Sequence, residues 1–160
     1  MVAPNPMNLS IAAEPFESVD AQRLIAALDE HLAGRYAPEE RFGPNLKPAQ
    51  IASGMGTFVV ARADGRAVGC GALRKLDDTT AEVKRMYVEP ETRGRGVARG
   101  ILDHLERVGR DLRVRRLVLE TGVYQAEAIA LYRSAGFSPV RCWDEYAEAL
   151  TSVCFEKTIA

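Results

Sequence analysis

Apolar and polar positions alternate along the chain in short segments, each with either strand or helix periodicity. Residues 7–13 predict a first strand. After Asp20, which we expect to cap a helix, apolar residues follow the 3.6-residue spacing of a helix that ends near Gly34. These apolar residues are Leu24, Ile25, Leu28 and Leu32. From Pro38 to Gly56, three prolines and three glycines predict a loop with one helical turn.

The middle of the chain predicts three strands joined by tight turns, over residues 57–61, 67–73 and 81–88. Asp64-Gly65 is typical of a hairpin turn, and Asp77-Asp78 predicts a second turn. Pro90 should end the third strand because proline lacks the N–H that a sheet requires. These three strands therefore predict an antiparallel unit.

The last third of the chain predicts two helices that alternate with strands. Apolar residues repeat on one helical face between 97 and 112, and a second helix is expected over 125–135, ending at Gly136. Strands are expected over 117–120, 137–140 and 153–157. The order predicts a single α/β domain over 7–160, preceded by a loose extension, residues 1–6. Its mixed central sheet should be antiparallel in the N-terminal part, parallel in the C-terminal part, and flanked by helices.

Composition narrows the class of protein further. The 160 residues are 47% hydrophobic and 27% charged, as in one globular domain, and no apolar run reaches the roughly 18 residues of a membrane span. No N-terminal segment has the pattern of a secretory signal. The three cysteines contain no C-x-x-C pair and only two histidines are present, so we expect neither a disulfide framework nor a metal site, and a cytoplasmic location.

The charge is concentrated in one segment. Residues 93–116 carry eight arginines against three acidic residues, a net +5, in a chain whose total is −1. A solvated, arginine-rich helix is one explanation. Nucleic acid is not an expected partner, because aromatic residues do not alternate with these arginines and no groove-reading motif accompanies them.

A glycine- and arginine-rich turn stands where the third strand of the hairpin unit passes into the 97–112 helix. Such a turn forms an anion site, because free backbone N–H groups and the helix dipole point at the ligand. The dinucleotide fingerprint G-x-G-x-x-G fails, since Arg99 stands where its third glycine belongs, and no G-K-[ST] of a P-loop follows. The pattern R-x-x-G-x-[GA] is satisfied by residues 93–98.

With this motif the chain resembles the GNAT superfamily of N-acetyltransferases, whose pyrophosphate loop has the sequence R-x-x-G-x-A. The segment 82–90, EVKRMYVEP, is similar to the family's splayed central strand. Residues 125–137 are similar to its second signature, N-x-x-A-x-x-L-Y-x-x-x-G-F, with Gln125 in place of the usual asparagine. The resemblance covers about residues 56–157.

The resemblance implies that acetyl-CoA is a cosubstrate. Its pyrophosphate would lie on the N–H groups of 94–98, its 3′-phosphate near Arg99, and its pantetheine arm along the central strand, bound by the carbonyl of Met86 and the N–H of Val88. The implied cofactor-binding residues are Met86, Tyr87, Val88, Arg93, Gly94, Arg95, Gly96, Val97, Ala98, Arg99 and Gln125.

Transfer of an acyl group to an amine needs a base for the ammonium and an acid for the departing thiolate. The resemblance places Tyr132 as the acid, with packing as the alternative role. Glu82 and Glu120 are the candidate bases, and a water relay is a third solution. Strand alternation should put Glu82 on one face with Lys84, Met86 and Val88, although an exposed charge at the strand end is the plainer interpretation of Glu82.

The acceptor is expected to be a small-molecule amine. In the family the acceptor contacts come from segments that correspond to 20–55 and 141–152. Here these carry aromatic and acidic residues suited to a cationic amine, or to packing of the loops. They are Tyr36, Arg41, Phe42, Trp143, Asp144, Glu145 and Tyr146. Alternatives are a protein N-terminal or lysine acetyltransferase and a non-catalytic acyl-CoA-binding module, and a homodimer is left open.

Overall fold

A computed structural model describes residues 7–40 and 46–159, which form seven strands and three helices. The strands are β1 Leu9–Ala13, β2 Gly56–Ala63, β3 Arg66–Lys75, β4 Thr80–Val88, β5 Arg116–Gly122, β6 Ser138–Val140 and β7 Ser152–Thr158. The helices are α1 Val19–Ala33, α2 Val97–Asp111 and α3 Ala126–Ser134. The predicted extension, residues 1–6, lies outside the described residues.

All seven strands belong to one mixed sheet in the order β1-β2-β3-β4-β5-β7-β6. The α/β class and the mixed sheet are confirmed, and the hairpin turn at Asp64-Gly65 forms with both residues at positive φ. The parallel part is smaller than predicted. Only β4 and β5 pair in parallel, whereas β7 runs antiparallel to both β5 and β6.

The N-cap of helix α1 lies two residues before the predicted cap. Ser18 is the N-cap, and its hydroxyl accepts a hydrogen bond of 3.0 Å from the N–H of Ala21. The prediction of Asp20 as the cap is therefore wrong. Asp20 lies in the first turn, where its carboxylate is 2.8 Å from the guanidinium of Arg62 on β2. Serine and aspartate are equally good caps, so the choice was open in the sequence.

Two apolar cores cover the two faces of the sheet. On one face, α2 and α3 pack over a core that includes Val83, Ile101 and Phe155. On the other face, α1 packs over a smaller core around Leu24 and Phe58. The face that carries α1 is called the α1 face below, and the opposite face the α2 face. Residues of β4 and β5 thus alternate between two different environments.

The sheet opens in its middle, between β4 and β5. These two strands pair over only three residues each, Thr80–Glu82 with Arg116–Val118, and then separate. The splayed strand expected from the resemblance is therefore present. Beyond Glu82 and Val118, a gap between the strands connects the two faces of the sheet.

A β-bulge at Arg85 changes the alternation along β4. Arg85 has a φ of 57°, and the pairing with β3 shifts by one residue between Cys70 and Ala72. One extra residue turns every following side chain to the opposite face. The prediction that Glu82, Lys84, Met86 and Val88 share one face is therefore wrong. Met86 and Val88 pack in the core of the α2 face.

The cysteines also differ from expectation. Cys142 and Cys154 form a disulfide that links the segment after β6 to β7, whereas Cys70 is free and buried. The prediction of no disulfide is wrong, and the cysteine pattern does not by itself indicate a reducing compartment. Spacing alone does not reveal this pair, because the antiparallel β6–β7 pairing brings the two residues together.

No helix in the described ranges is long and apolar enough to cross a membrane.

Candidate active site

A cavity of about 460 Å³ lies on the α1 face, where β4 and β5 separate. Side chains from α1, from the segment after it, from both strands and from the loop before β7 line it. All three predicted catalytic residues, Glu82, Glu120 and Tyr132, are among the lining residues. The cavity is therefore the candidate active site.

Glu82 is fully buried, with a relative exposure of 1%, so it is not an exposed charge at the strand end. The guanidinium of Arg74, its cross-strand neighbour on β3, holds Oε1 through two contacts of 2.8 Å. The hydroxyl of Tyr146 donates to Oε2 at 3.2 Å. A buried carboxylate bound in this way is held firmly in place.

Lys84 lies beside Glu82 on the cavity wall, with its ammonium 4.0 Å from Glu82 Oε2. Its hydrogen bond, 3.2 Å long, goes to the hydroxyl of Tyr146. Burial lowers the pKa of Lys84, although the charge of Glu82 acts in the opposite direction. This wall of the cavity thus carries a largely buried ammonium group bonded to the hydroxyl of a tyrosine.

Glu120 has a very different environment from Glu82. Its Oε1 accepts a single hydrogen bond, from the hydroxyl of Ser152 at 3.2 Å. Burial raises the pKa of Glu120 to about 7, against the smaller lowering effects of Ser152 and Lys84. A carboxyl group that titrates near neutral pH is well suited to accept and release a proton.

Tyr132 reaches the cavity from the other side of the sheet. Its ring belongs to the core of the α2 face, with ring centroids 5.9 Å from Phe137 and 6.3 Å from Phe155. Burial raises the pKa of the Tyr132 phenol, and the charge of Glu120 adds to that effect. The phenol therefore stays protonated at neutral pH, and within the described residues its hydroxyl has no hydrogen-bond partner.

The gap brings the acid and base candidates into one site. Glu82 and Glu120 project to the α1 face, and Tyr132 is packed on the α2 face, yet all three line the same cavity. Only a separation of β4 from β5 allows groups on both faces to meet. The opening of the sheet is thus what assembles these residues.

The backbone of β4 after the bulge also faces this gap. The N–H of Glu89 bonds to the carbonyl of Val68 on β3, so alternation turns the backbone groups of Met86 and Val88 toward the opposite, β5 edge. The carbonyl of Val88 accepts a hydrogen bond of 2.8 Å from Nε of Arg93. This bond, with the guanidinium of Arg93 over the ring of Tyr87, fixes the loop that follows β4.

The glycine loop has the geometry that an anion site requires. Gly94 and Gly96 have positive φ values, and no atom lies within 4 Å of where a Cβ would stand on either residue. Gly96 is the N-cap of α2. The side chain of Val97 is buried in the core, so only its N–H can face a ligand, and Ala98 packs partly against the same core. Arg95 and Arg99 are exposed.

Gln125 lines the cavity at its α3 side, where Arg35 of the segment after α1 donates to its Oε1 at 2.8 Å. Arg35 also bonds to the carbonyl of Tyr124. The longer side chain of Gln125 is thus held by a second part of the chain. Its role toward a cofactor stays a prediction.

The two segments expected to recognise the acceptor both contribute to the cavity. Tyr36 packs against Gly122, and its hydroxyl accepts from the N–H of Tyr124. Tyr146 is buried, and the ring of Trp143 packs against it edge to face, with the two ring centroids 5.5 Å apart. Asp144 and Glu145 are exposed. Arg41 and Phe42 lie outside the described residues.

Arg74 was not identified from the sequence. A two-residue turn at Asp77 and Asp78 would pair residue 74 with residue 81, whereas the observed turn is one residue longer and places Arg74 opposite Glu82. For Lys84, the sequence predicted only that its side chain shares a face of the strand with Glu82, and no role in the site. Over the described parts of the chain, no group of three or more His, Cys, Asp or Glu is arranged to hold a metal ion.

Comparison with known proteins agrees with this geometry. The model of the Acetyltransferase (GNAT) family matches residues 19–137. An IAA acetyltransferase of Azospirillum brasilense is 38% identical over 154 residues, which are 95% of this chain and 99% of that protein.

Among solved structures, a Klebsiella pneumoniae protein described as an acyl-CoA N-acyltransferase superimposes with a TM-score of 0.80 at 29% identity, over 95% of this chain and 98% of that one. The PaiA N-acetyltransferase of Thermoplasma acidophilum, solved in complex with coenzyme A, superimposes with a TM-score of 0.72 at 18% identity. It covers 95% of this chain and 99% of its own, and at this identity it supports the fold alone.

Proposed function

Because the chain belongs to the GNAT family of acetyltransferases, we propose that it transfers an acetyl group from acetyl-CoA to the primary amine of a small molecule, directly and without an acyl-enzyme. The observation that carries this proposal is that Tyr132 and Glu120 line the same cavity at the gap between β4 and β5. Tyr132 stays protonated and can act as an acid, whereas Glu120 titrates near neutral pH and can act as a base.

The residues present fit acetyl-CoA. The open space over Gly94 and Gly96 at the start of α2 suits a pyrophosphate, and the exposed Arg99 lies one turn further along the helix. The β5-facing backbone of Met86 and Val88 suits the amide groups of a pantetheine arm. When bound, acetyl-CoA supplies the activated acetyl group. The coenzyme A complex described above shares this fold.

Two side chains would then move the protons. Glu120, with a pKa of about 7, accepts a proton from the acceptor's ammonium, so that the amine nitrogen carries a free electron pair for the new N–C bond. Tyr132 donates its phenolic proton to the sulfur as the C–S bond breaks. Glu82 is bound by Arg74 and Tyr146, and it holds the cavity wall in place. Glu120 is therefore the base that we favour over Glu82 and over a water relay.

A small acceptor is favoured over a protein tail. Leu28, Leu32 and Tyr36 close the α1 side of the cavity, and Tyr146 closes the side of the loop before β7. A cavity walled by these two segments suits a compact molecule better than an extended peptide.

Release of CoA thiol with a panel of amines, amino acids and peptides tests the proposal. Turnover on a small amine well above acetyl-CoA hydrolysis, lost in Glu120→Gln, is the expected result. Turnover on peptides alone would show a protein acetyltransferase. Calorimetric binding of acetyl-CoA without turnover on any member of the panel would show a binding module instead.

A further inference from the structure

Where β3 and β4 meet the cavity, two cationic side chains lie beside one buried carboxylate. Arg74 and Lys84 have side chains only 14% and 11% exposed, and the buried carboxylate beside them is Glu82. Arg74 already binds Glu82 Oε1 twice, and Lys84 stays 4.0 Å from Oε2. A second, largely buried cation, whose one recorded hydrogen bond among the described residues goes to a tyrosine hydroxyl, is costly unless an anion joins it.

Asp29, Glu40 and Glu120 also line the cavity, but their recorded hydrogen bonds go elsewhere: to Arg85, to the N–H of Ala37 and to Ser152. Glu120 also does not supply the anion during the reaction. Under the proposed function it takes the proton of the acceptor's ammonium and becomes neutral. At that stage Arg74, Lys84 and Glu82 together carry a net charge of +1. An acceptor that carries an anionic group would balance the charge of Lys84.

We propose that Lys84 binds a carboxylate of the acceptor, and that the preferred acceptors are α-amino acids with apolar side chains. This inference rests on the proposed function. Lys84 and Glu120 line the same cavity and lie close enough for each charge to act on the other. An α-amino acid would bring an amine to Glu120 and a carboxylate to Lys84 within one small molecule.

The remaining wall selects the side chain. Leu28 and Leu32 of α1 and the ring of Tyr36 line the cavity on the side away from β4. An aliphatic or aromatic side chain would bury apolar surface there, at roughly 25 cal/mol per Å². A charged side chain would lose its hydration without gaining a partner among these three residues, and Asp29, which lines the cavity beside Leu28, already binds Arg85.

The test compares three amino acids with the amines left after loss of their carboxylate: leucine with isoamylamine, methionine with 3-methylthiopropylamine, and phenylalanine with phenethylamine. We expect kcat/KM for at least one amino acid to exceed that of its amine by about 30-fold or more. Lys84→Met should reduce this ratio at least tenfold, and Lys84→Arg should retain part of it. Lys47→Met, a change on an exposed residue outside the cavity, should leave the ratio unchanged. Because each ratio is compared between variants, differences in amine pKa cancel.

Binding gives an independent readout. Calorimetry with the dead-end complex of protein and CoA should show the amino acid binding to the wild type, with affinity at least tenfold weaker in Lys84→Met. Equal turnover of amino acids and amines by the wild type would overturn the inference and leave the proposed function intact. If no compound is acetylated, the proposed function fails, and equal amino-acid affinity in the wild type and Lys84→Met would then overturn the inference as well.

Discussion

The hydroxyl of Tyr146 donates a hydrogen bond of 3.2 Å to Glu82 Oε2, between residues 64 positions apart in the chain. The same hydroxyl accepts from Lys84, so one tyrosine connects the loop before β7 to both charged residues of β4. Burial raises the pKa of Tyr146, and the charge of Glu82 adds to this effect. Tyr146 therefore stays a neutral donor, and Glu82 is committed to a structural network that Glu120 does not share.

This difference between the two carboxylates predicts a pH profile. Because the pKa of Glu120 is about 7, the fraction of base in its active, ionised form rises as pH increases through 7. We expect kcat/KM, measured on an acceptor that is turned over, to rise about tenfold per pH unit below 7 and to level off above it. In Glu120→Gln, the rise of kcat/KM below pH 7 (the acidic limb of the profile) should disappear, together with most of the rate.

Glu148→Gln, a change on an exposed residue outside the cavity, is the matched control and should keep the wild-type profile. A limb near pH 7 that persists in Glu120→Gln would assign the base to another group or to a water relay.

Tyr132→Phe should slow the chemical step and leave cofactor affinity nearly unchanged. The substitution keeps the ring between Phe137 and Phe155 and removes only the hydroxyl. We expect a fall of roughly 10²-fold in the single-turnover rate, the lower end for general acid catalysis. Tyr124→Phe, on an exposed tyrosine outside the cavity, should have little effect. A wild-type rate in Tyr132→Phe would show that the ring serves packing alone.

The glycine loop is tested by a pair of substitutions at Gly96. Asparagine and aspartate have nearly the same shape, and both tolerate the left-handed backbone better than other residues, so they share any strain at the φ of 85°. Only aspartate places a negative charge toward the proposed pyrophosphate site. We expect Gly96→Asp to weaken acetyl-CoA binding by calorimetry at least tenfold more than Gly96→Asn does, which corresponds to about 1.4 kcal/mol. Equal effects would exclude a phosphate at this loop.

Arg74→Met should destabilise the fold more than the loss of a surface charge. It leaves Glu82 buried with only Tyr146 and the more distant Lys84, and breaking a buried pair costs about 3–5 kcal/mol. Urea unfolding should show this decrease. The double variant Arg74→Met, Glu82→Gln should recover part of it, because the uncompensated charge is gone. Absence of any recovery would mean that Arg74 stabilises by packing instead.

Most of the fold follows from local signals in the sequence. The glycines at 94, 96 and 136 occupy left-handed positions that the motifs require, and the hairpins turn where aspartate and glycine predicted them. The second signature placed Tyr132, and the strand predicted over 117–120 placed Glu120, on elements that line the cavity. These features depend on short stretches of chain, which a single sequence reports directly.

Features that depend on contacts between residues far apart in the chain could not be predicted from the sequence in this way. Nothing about Arg85 predicts a positive φ, so the bulge that turns Met86 to the α2 face has no compositional signal. The disulfide of Cys142 and Cys154 forms because two strands pair, and the Tyr146 contact to Glu82 needs a loop to fold back over the cavity. Each of these is fixed by tertiary contacts and not by local propensity.

The opening between β4 and β5 also has a consequence for how the molecule resists unfolding. Three residues of each strand provide the backbone pairing between the two halves of the sheet, and β4 beyond Glu82 borders the gap. A pantetheine arm lying in that gap would bridge the halves, so that binding would add to the free energy of unfolding. At a ligand concentration of one hundred times Kd, this linkage is worth about 2.7 kcal/mol. The supply of acetyl donor in the cell would then set the lifetime of the folded chain as well as its rate of turnover.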